Sequence, residues 1–150
     1  MIDIRPCTVN EIEQSPNFDD VIAEYGAESA MPEIGTPKPR MDMYRDIEAA
    51  GMLHAVAAFD GLSLVGFMVP IVVTLPHYGV MAATVESFFV AKDRRKNGVG
   101  LKMLAFTERH VKERGAKVLL LSAPVASVLD QVMSLSKRYR NSNKVYVVAL

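Results

Sequence analysis

The chain has 150 residues, half of them hydrophobic and 23% charged, enough apolar matter for one core and too much for a disordered chain. Seventeen Lys and Arg balance seventeen Asp and Glu, so the overall basic field of a nucleic-acid-binding domain is absent. A lone cysteine, Cys7, excludes an internal disulfide and a thiolate zinc cluster, and points to a reduced, cytoplasmic setting.

The opening residues carry charges where a secretory signal needs an apolar stretch. The longest apolar run, Leu62 to Pro76, is interrupted by Gly66 and Pro70 and falls short of the roughly 20 residues of a spanning helix, so it reads as a buried strand. In chain order, alternating Ile2 and Ile4 before Pro6 predict a short first strand. Thr8 or Asn10 caps a helix over about 11–25, which Pro16 must kink or split. Residues 29–40, with Pro32, Gly35, Pro37 and Pro39, form a loop, and a second helix follows over about 41–50, stopped by Gly51.

A strand over about 53–59 turns at Asp60-Gly61 into a long antiparallel strand over 62–74, where Pro70 marks a bulge or an unpaired edge. Pro76-His77-Tyr78-Gly79 turns the chain into a strand over 81–90. The third helix, about 98–114, shows a clean apolar arc of Val99, Met103, Leu104, Phe106, Thr107, His110 and Val111. Val118–Leu121 reads as a buried strand, Pro124 opens a fourth helix to about Ser136, and Lys144–Leu150 closes the chain as a strand. This order, β-α-α-β-β-β-α-β-α-β, describes one α/β domain over residues 1–150, a mixed sheet with helices on both faces.

The informative segment is a strand, a basic glycine loop and a helix, from Val85 to Leu101. Such a loop aims backbone N–H groups outward at the positive end of a helix dipole, where they hold phosphate without a metal. Arg94, Arg95 and Lys96 add positive charge. A dinucleotide fingerprint is excluded because its third glycine falls at Met103, and a GxxxxGK[ST] loop because Leu101 follows Gly100.

The run Val90-x-x-x-x-Arg95-x-x-Gly98-x-Gly100-x-x-x-Leu104 resembles the acyl-CoA-binding motif of the GNAT N-acetyltransferases, and the element order matches their fold. Lys92 stands where many members carry proline. The resemblance implies that backbone amides of Lys96, Asn97, Gly98, Val99, Gly100 and Leu101, with Arg95 beside them, hold the pyrophosphate of acetyl-CoA. It also implies that the pantetheine arm lies along Phe88, Phe89 and Val90, where the fourth and fifth strands splay.

Many members place a glutamate where Glu86 stands, as general base directly or through water. Alternation puts Glu86 on the same strand face as Phe88 and Val90, and partial burial there would suit it to accept a proton. The alternative is a structural carboxylate paired with an arginine or a backbone N–H. The family's helix-end pattern, aligned on Tyr139, places Ser134 where members carry the tyrosine that protonates the leaving thiolate. Tyr139 or Tyr146 then takes that part, or the thiolate leaves unassisted.

His110, on the apolar arc, and His54 read as packed histidines, His77 and Tyr78 as a turn that either lines the acceptor entrance or is plain surface, and Cys7 as unreactive. The basic run Lys137–Arg140 reads as a solvated helix end. The expected activity is acetyl transfer from acetyl-CoA to a primary amine, on a small molecule or a peptide, with no metal, nucleic acid or membrane involved. The rival is a CoA-binding or interaction module of the same fold without catalysis. The short C-terminal portion and open sheet edges suggest a homodimer.

Overall fold

A computed structural model describes residues 1–150. Its five strands lie side by side in chain order: β1 (Ile2–Pro6), β2 (Val56–Asp60), β3 (Ser63–Leu75), β4 (Val80–Val90) and β5 (Val118–Leu120). Pairing is antiparallel from β1 to β4 and parallel between β4 and β5. On one face α1 (Val9–Glu13), α2 (Phe18–Ser29) and α3 (Met41–Ala49) cover a core of Val9, Ile12 and Val21 against Ala57, Phe67, Val69 and Phe89. On the other, α4 (Val99–Glu113) sets Val99, Met103 and Leu104 against Ala58, Val65, Met68 and Val85, with Met133 of α5 (Val128–Leu135) beside them. The expected mixed sheet with helices on both faces is therefore present.

Several boundaries differ from the sequence expectation for identifiable reasons. The first expected helix is two, because Pro16 can neither donate a hydrogen bond nor avoid the preceding turn. Thr8 is the cap of α1: its Oγ1 accepts from the Glu11 N–H at 3.1 Å while the Glu11 carboxylate accepts from the Thr8 N–H at 2.8 Å. Strand β2 starts at Val56 rather than Leu53, since its continuation would meet Pro70, which has no N–H to complete the ladder; Leu53 keeps one isolated bridge to Ile71.

The fourth expected helix begins at Val128, not Pro124. Ala126 adopts a left-handed conformation (φ 63°), and Ser127 caps the helix by accepting from the Asp130 N–H at 3.1 Å. The expected closing strand Lys144–Leu150 does not form. Residues 141–150 are exposed, and β5, the sheet edge they would join, is only three residues long. No helix is long and apolar enough to cross a membrane.

Candidate functional site

Strand β4 is where the two faces of the domain separate. Its register against β3 pairs Val69 with Ser87 and Pro70 with Val85, so Glu86 is the extra residue of a β-bulge. Simple alternation would set Glu86 beside Phe88 and Val90, which pack under α4 with Val99 and Met103. The bulge instead turns it toward α2 and α3, where the Tyr44 hydroxyl donates to Glu86 Oε2 at 2.7 Å. The expected partial burial also fails: Glu86 is exposed, because the cavity it borders opens to water. Oε2 carries the only hydrogen bond of this carboxylate, and Oε1 has no protein partner. Burial and the neighbouring Glu86 charge push the Tyr44 phenol above its ordinary pKa, so it keeps its proton and serves as a donor.

The cavity has a volume of about 400 Å³, within the range of small-ligand sites. Its floor is Ile71 of β3 with Glu86, its sides are Tyr25 of α2 and Tyr44 of α3, and its outer wall is the proline-rich loop. That loop is ordered by a small turn in which the Met31 N–H donates to the Gly35 carbonyl at 3.1 Å, with Gly35 at φ 98°. Tyr44 was not singled out from the sequence, because nothing in linear spacing connects α3 with a residue on β4.

The other face of β4 carries the glycine loop. Strand β5 pairs with β4 only over Ala82–Thr84, so from Val85 to Val90 the main chain has no partner on that side. Beyond Val90 two short 3₁₀ turns, Lys92–Arg94 and Lys96–Gly98, lead into α4. Asn97 and Gly98 are both left-handed, at φ 64° and 70°. No side chain caps α4, whose first turn, from Val99, presents its positive end beyond the 3₁₀ turn.

The two glycines do different things. Gly98 supplies the left-handed conformation, and a Cβ there would meet nothing within 4 Å. Gly100 faces inward, where a Cβ would stand 3.4 Å from Phe88 Cζ, so its smallness lets the first turn of α4 lie close to the sheet.

Most of the loop's positive charge is already engaged. Arg94 pairs with Asp60 at 2.9 Å. Arg95 donates to the Val90 carbonyl at 2.9 Å and to Glu28 at 2.7 Å, and its guanidinium lies 5.3 Å from the Phe89 ring centre. Glu24 accepts from the Lys92 N–H at 3.0 Å. Lys96 alone among the loop cations has no carboxylate partner within 4.0 Å. Arg95 is thus a latch holding the loop to α2, and the free anion-attracting groups are backbone amides with Lys96.

The two tyrosines considered as acids lie apart from Glu86. Tyr139 is half-buried on the α4 side and donates to Glu108 Oε1 at 2.6 Å; burial and that carboxylate raise its pKa. Tyr146 is 86% exposed in the segment without regular structure. Ser134 donates back to the Asp130 carbonyl at 2.8 Å. Neither tyrosine shares the cavity of Glu86.

Elsewhere, burial pushes the Cys7 thiol up to about 12, as suits an unreactive core group. His77 and Tyr78 meet edge to face in the β3–β4 turn, outside the cavity. His54 and His110 both accompany Arg114, whose Nε donates to His54 Nδ1 at 3.0 Å and whose Nη1 lies 3.1 Å from His110 Nδ1. No group of three or more His, Cys, Asp or Glu side chains is arranged to hold a metal ion.

Comparison with known proteins places this geometry. Residues 20–129 match the model of the acetyltransferase (GNAT) family. Among solved structures, a ribosomal-protein-alanine N-acetyltransferase from Brucella melitensis biovar Abortus 2308 superimposes with a TM-score of 0.72 at 20% identity, covering 100% of this chain and 99% of that one. An aminoglycoside acetyltransferase from an uncultured soil metagenomic sample, in complex with sisomicin, gives 0.74 at 16% identity over 99% and 96% of the two chains. AAC(6')-Iy with a CoA-containing bisubstrate analogue gives 0.70 at 16% identity over 100% and 98%. At these identities the structural likeness establishes the fold. No curated protein matches the sequence significantly.

Proposed function

The chain belongs to the GNAT family of acetyltransferases, and on that premise we propose that it moves an acetyl group from acetyl-CoA to a primary amine. The observation that carries this reading is the division of β4: beyond Thr84 its main chain is open toward the glycine loop, while its bulge aims Glu86 into a cavity on the opposite face. The amides of Asn97–Leu101 and Lys96 receive the pyrophosphate, and the pantetheine arm follows the open edge at Phe88–Val90. This holds the thioester next to a carboxylate-bearing cavity, so the rate gain is positioning plus electrostatics.

Glu86 takes a proton from the acceptor ammonium, with Tyr44 fixing Oε2 and leaving Oε1 toward the amine. The freed nitrogen attacks the thioester carbonyl and forms the N–C bond, its second proton passes to solvent, the C–S bond breaks, and the electron pair leaves on the CoA thiolate. Such a thiolate is a tolerable leaving group without a dedicated acid, which fits the absence of Tyr139 and Tyr146 from the Glu86 cavity. The domain spans residues 1–150 and works in the cytoplasm.

Thermal melts and thiol release test the proposal together. Acetyl-CoA should raise the melting temperature by mass action, and an amine panel should release CoA thiol in step with acetylated product. Stabilisation without thiol release from any amine would leave a CoA-binding module; absence of both would remove the loop assignment.

A further inference from the structure

The charges around the Glu86 cavity restrict what it accepts. Glu86 is the only carboxylate lining it, and the two cations there are Lys38 and Arg40. Arg40 is neutralised by Asp42, to which it donates from Nε at 3.0 Å and from Nη2 at 2.7 Å. Lys38 has no carboxylate within 4.0 Å and is exposed. Of the other acids of this side, Glu28 is engaged by Arg95 and Glu24 by the Lys92 N–H, while Glu33 of the loop has no partner but stands outside the cavity lining. The site therefore presents one free anion and one free cation.

Between those charges the wall is apolar. Met31, Ile34, Met43, Ile47 and Ile71 line it, and three of them are open to water: Ile34 is 78% exposed, Met43 52% and Met31 39%. Exposed apolar side chains gathered on one concavity mark a binding surface rather than an ordinary loop. A polycationic acceptor finds one free carboxylate here and the uncompensated charge of Lys38, a poor match for several positive charges.

We infer that the acceptor is a monoamine with an apolar body and one anionic group, such as a carboxylate, its ammonium toward Glu86 and its anion toward Lys38. This deepens the acetyl-transfer reading and rests on it. The reaction removes the acceptor's only positive charge: of the two protons the ammonium loses, one goes to Glu86 and the other to solvent, the nitrogen gains the acetyl group, and the thiolate departs. The product keeps its anion and loses its attraction to Glu86, which favours release.

The test compares kcat/KM for matched acceptors on the full chain: an apolar α-amino acid such as leucine or phenylalanine, the same amine lacking the carboxylate, and spermidine as polycation. The amino acid should exceed its decarboxylated partner, and spermidine should be poorest. In Lys38→Ala the ratio of the first two should fall about two- to fivefold, the size expected of a solvent-screened ion pair, and Lys38→Glu should reverse the order. The wild-type ratio should also shrink with added salt. A preference for spermidine, or a ratio indifferent to both substitutions, overturns the inference while leaving acetyl transfer intact. If no acceptor of any class releases thiol, the acetyl-transfer reading itself fails, and this inference with it.

Discussion

The two faces of β4 use the same strand in opposite ways. Toward α4, the strand contributes side chains to the core through Val85, Phe88 and Val90, and leaves its main chain unpaired up to the loop that follows. Toward α2 and α3, the strand contributes one carboxylate, Glu86, to a cavity whose shape the surrounding loop supplies. A single inserted residue at Glu86 makes the difference, because every side chain beyond it changes face. On the proposed reading, a cosubstrate common to a family would be held through backbone, and an acceptor that varies would be met by side chains on a proline-rich loop.

The largest expected effect cuts one face and spares the other. Glu86→Gln should lower kcat by about 10²–10⁴-fold, the usual loss on removing a general base, while acetyl-CoA affinity stays near wild type. Melting temperature and kcat from one preparation decide the point. If Glu86 is only a structural partner of Tyr44, the variant will melt lower and lose activity in proportion to its unfolded fraction.

The opposite cut is Gly98→Val. A β-branched residue at φ 70° costs about 1–2 kcal/mol in backbone strain and displaces the amides around it. Acetyl-CoA affinity by calorimetry should fall at least about tenfold. Unchanged affinity in a folded variant would show that this loop does not hold the pyrophosphate. Gly100→Leu tests a different property, because its side chain would press on Phe88 rather than enter the loop, and its main effect should be on melting.

How much of this was legible in the sequence follows the same division. The glycine loop, the helix it opens and the apolar arc of α4 are local patterns, and Val99, Met103, Leu104, Thr107, His110 and Val111 are buried as expected. Pro70 marks a bulge or an unpaired edge, and a bulge is there, but which strand receives the extra residue depends on pairing between β3 and β4. That long-range choice decides the face of Glu86, so alternation alone put it on the wrong side. Likewise Arg94 and Arg95 looked like free charge because their partners, Asp60 and Glu28, come from distant elements. The stretch Lys144–Leu150 has strand-forming residues but no ladder to join in this fold, and local propensity does not reveal that.

A smaller effect sharpens the acceptor side. Tyr44→Phe removes the hydrogen bond to Glu86 Oε2 and keeps the ring against the core. One such bond is worth about 0.5–1.5 kcal/mol, so kcat should drop roughly three- to tenfold. Acetyl-CoA affinity should not move, which separates a positioning residue from general loosening of α3. A loss shared equally between kcat and acetyl-CoA binding would deny it that role.

The smallest effect lies far from both sites, where the end of α4 is fastened by Arg114 to His54 and His110. Burial first, and then the Arg114 charge, lowers the pKa of both histidines below their ordinary 6.5. Between those lowered values and 6.5 the unfolded chain binds more protons than the native one. The contribution to stability is therefore complete above pH 6.5 and is lost as pH falls through the native values. Melting temperature should decline between pH 7 and pH 5, and the slope should flatten when His54→Gln and His110→Asn are combined, whatever the variant's absolute stability. A wild-type melting temperature that holds steady or rises on acidification would contradict this linkage. Acetyl-CoA affinity measured at pH 6, where most molecules remain folded, should not follow the melting curve, because this contact sits at the opposite end of α4 from Gly98.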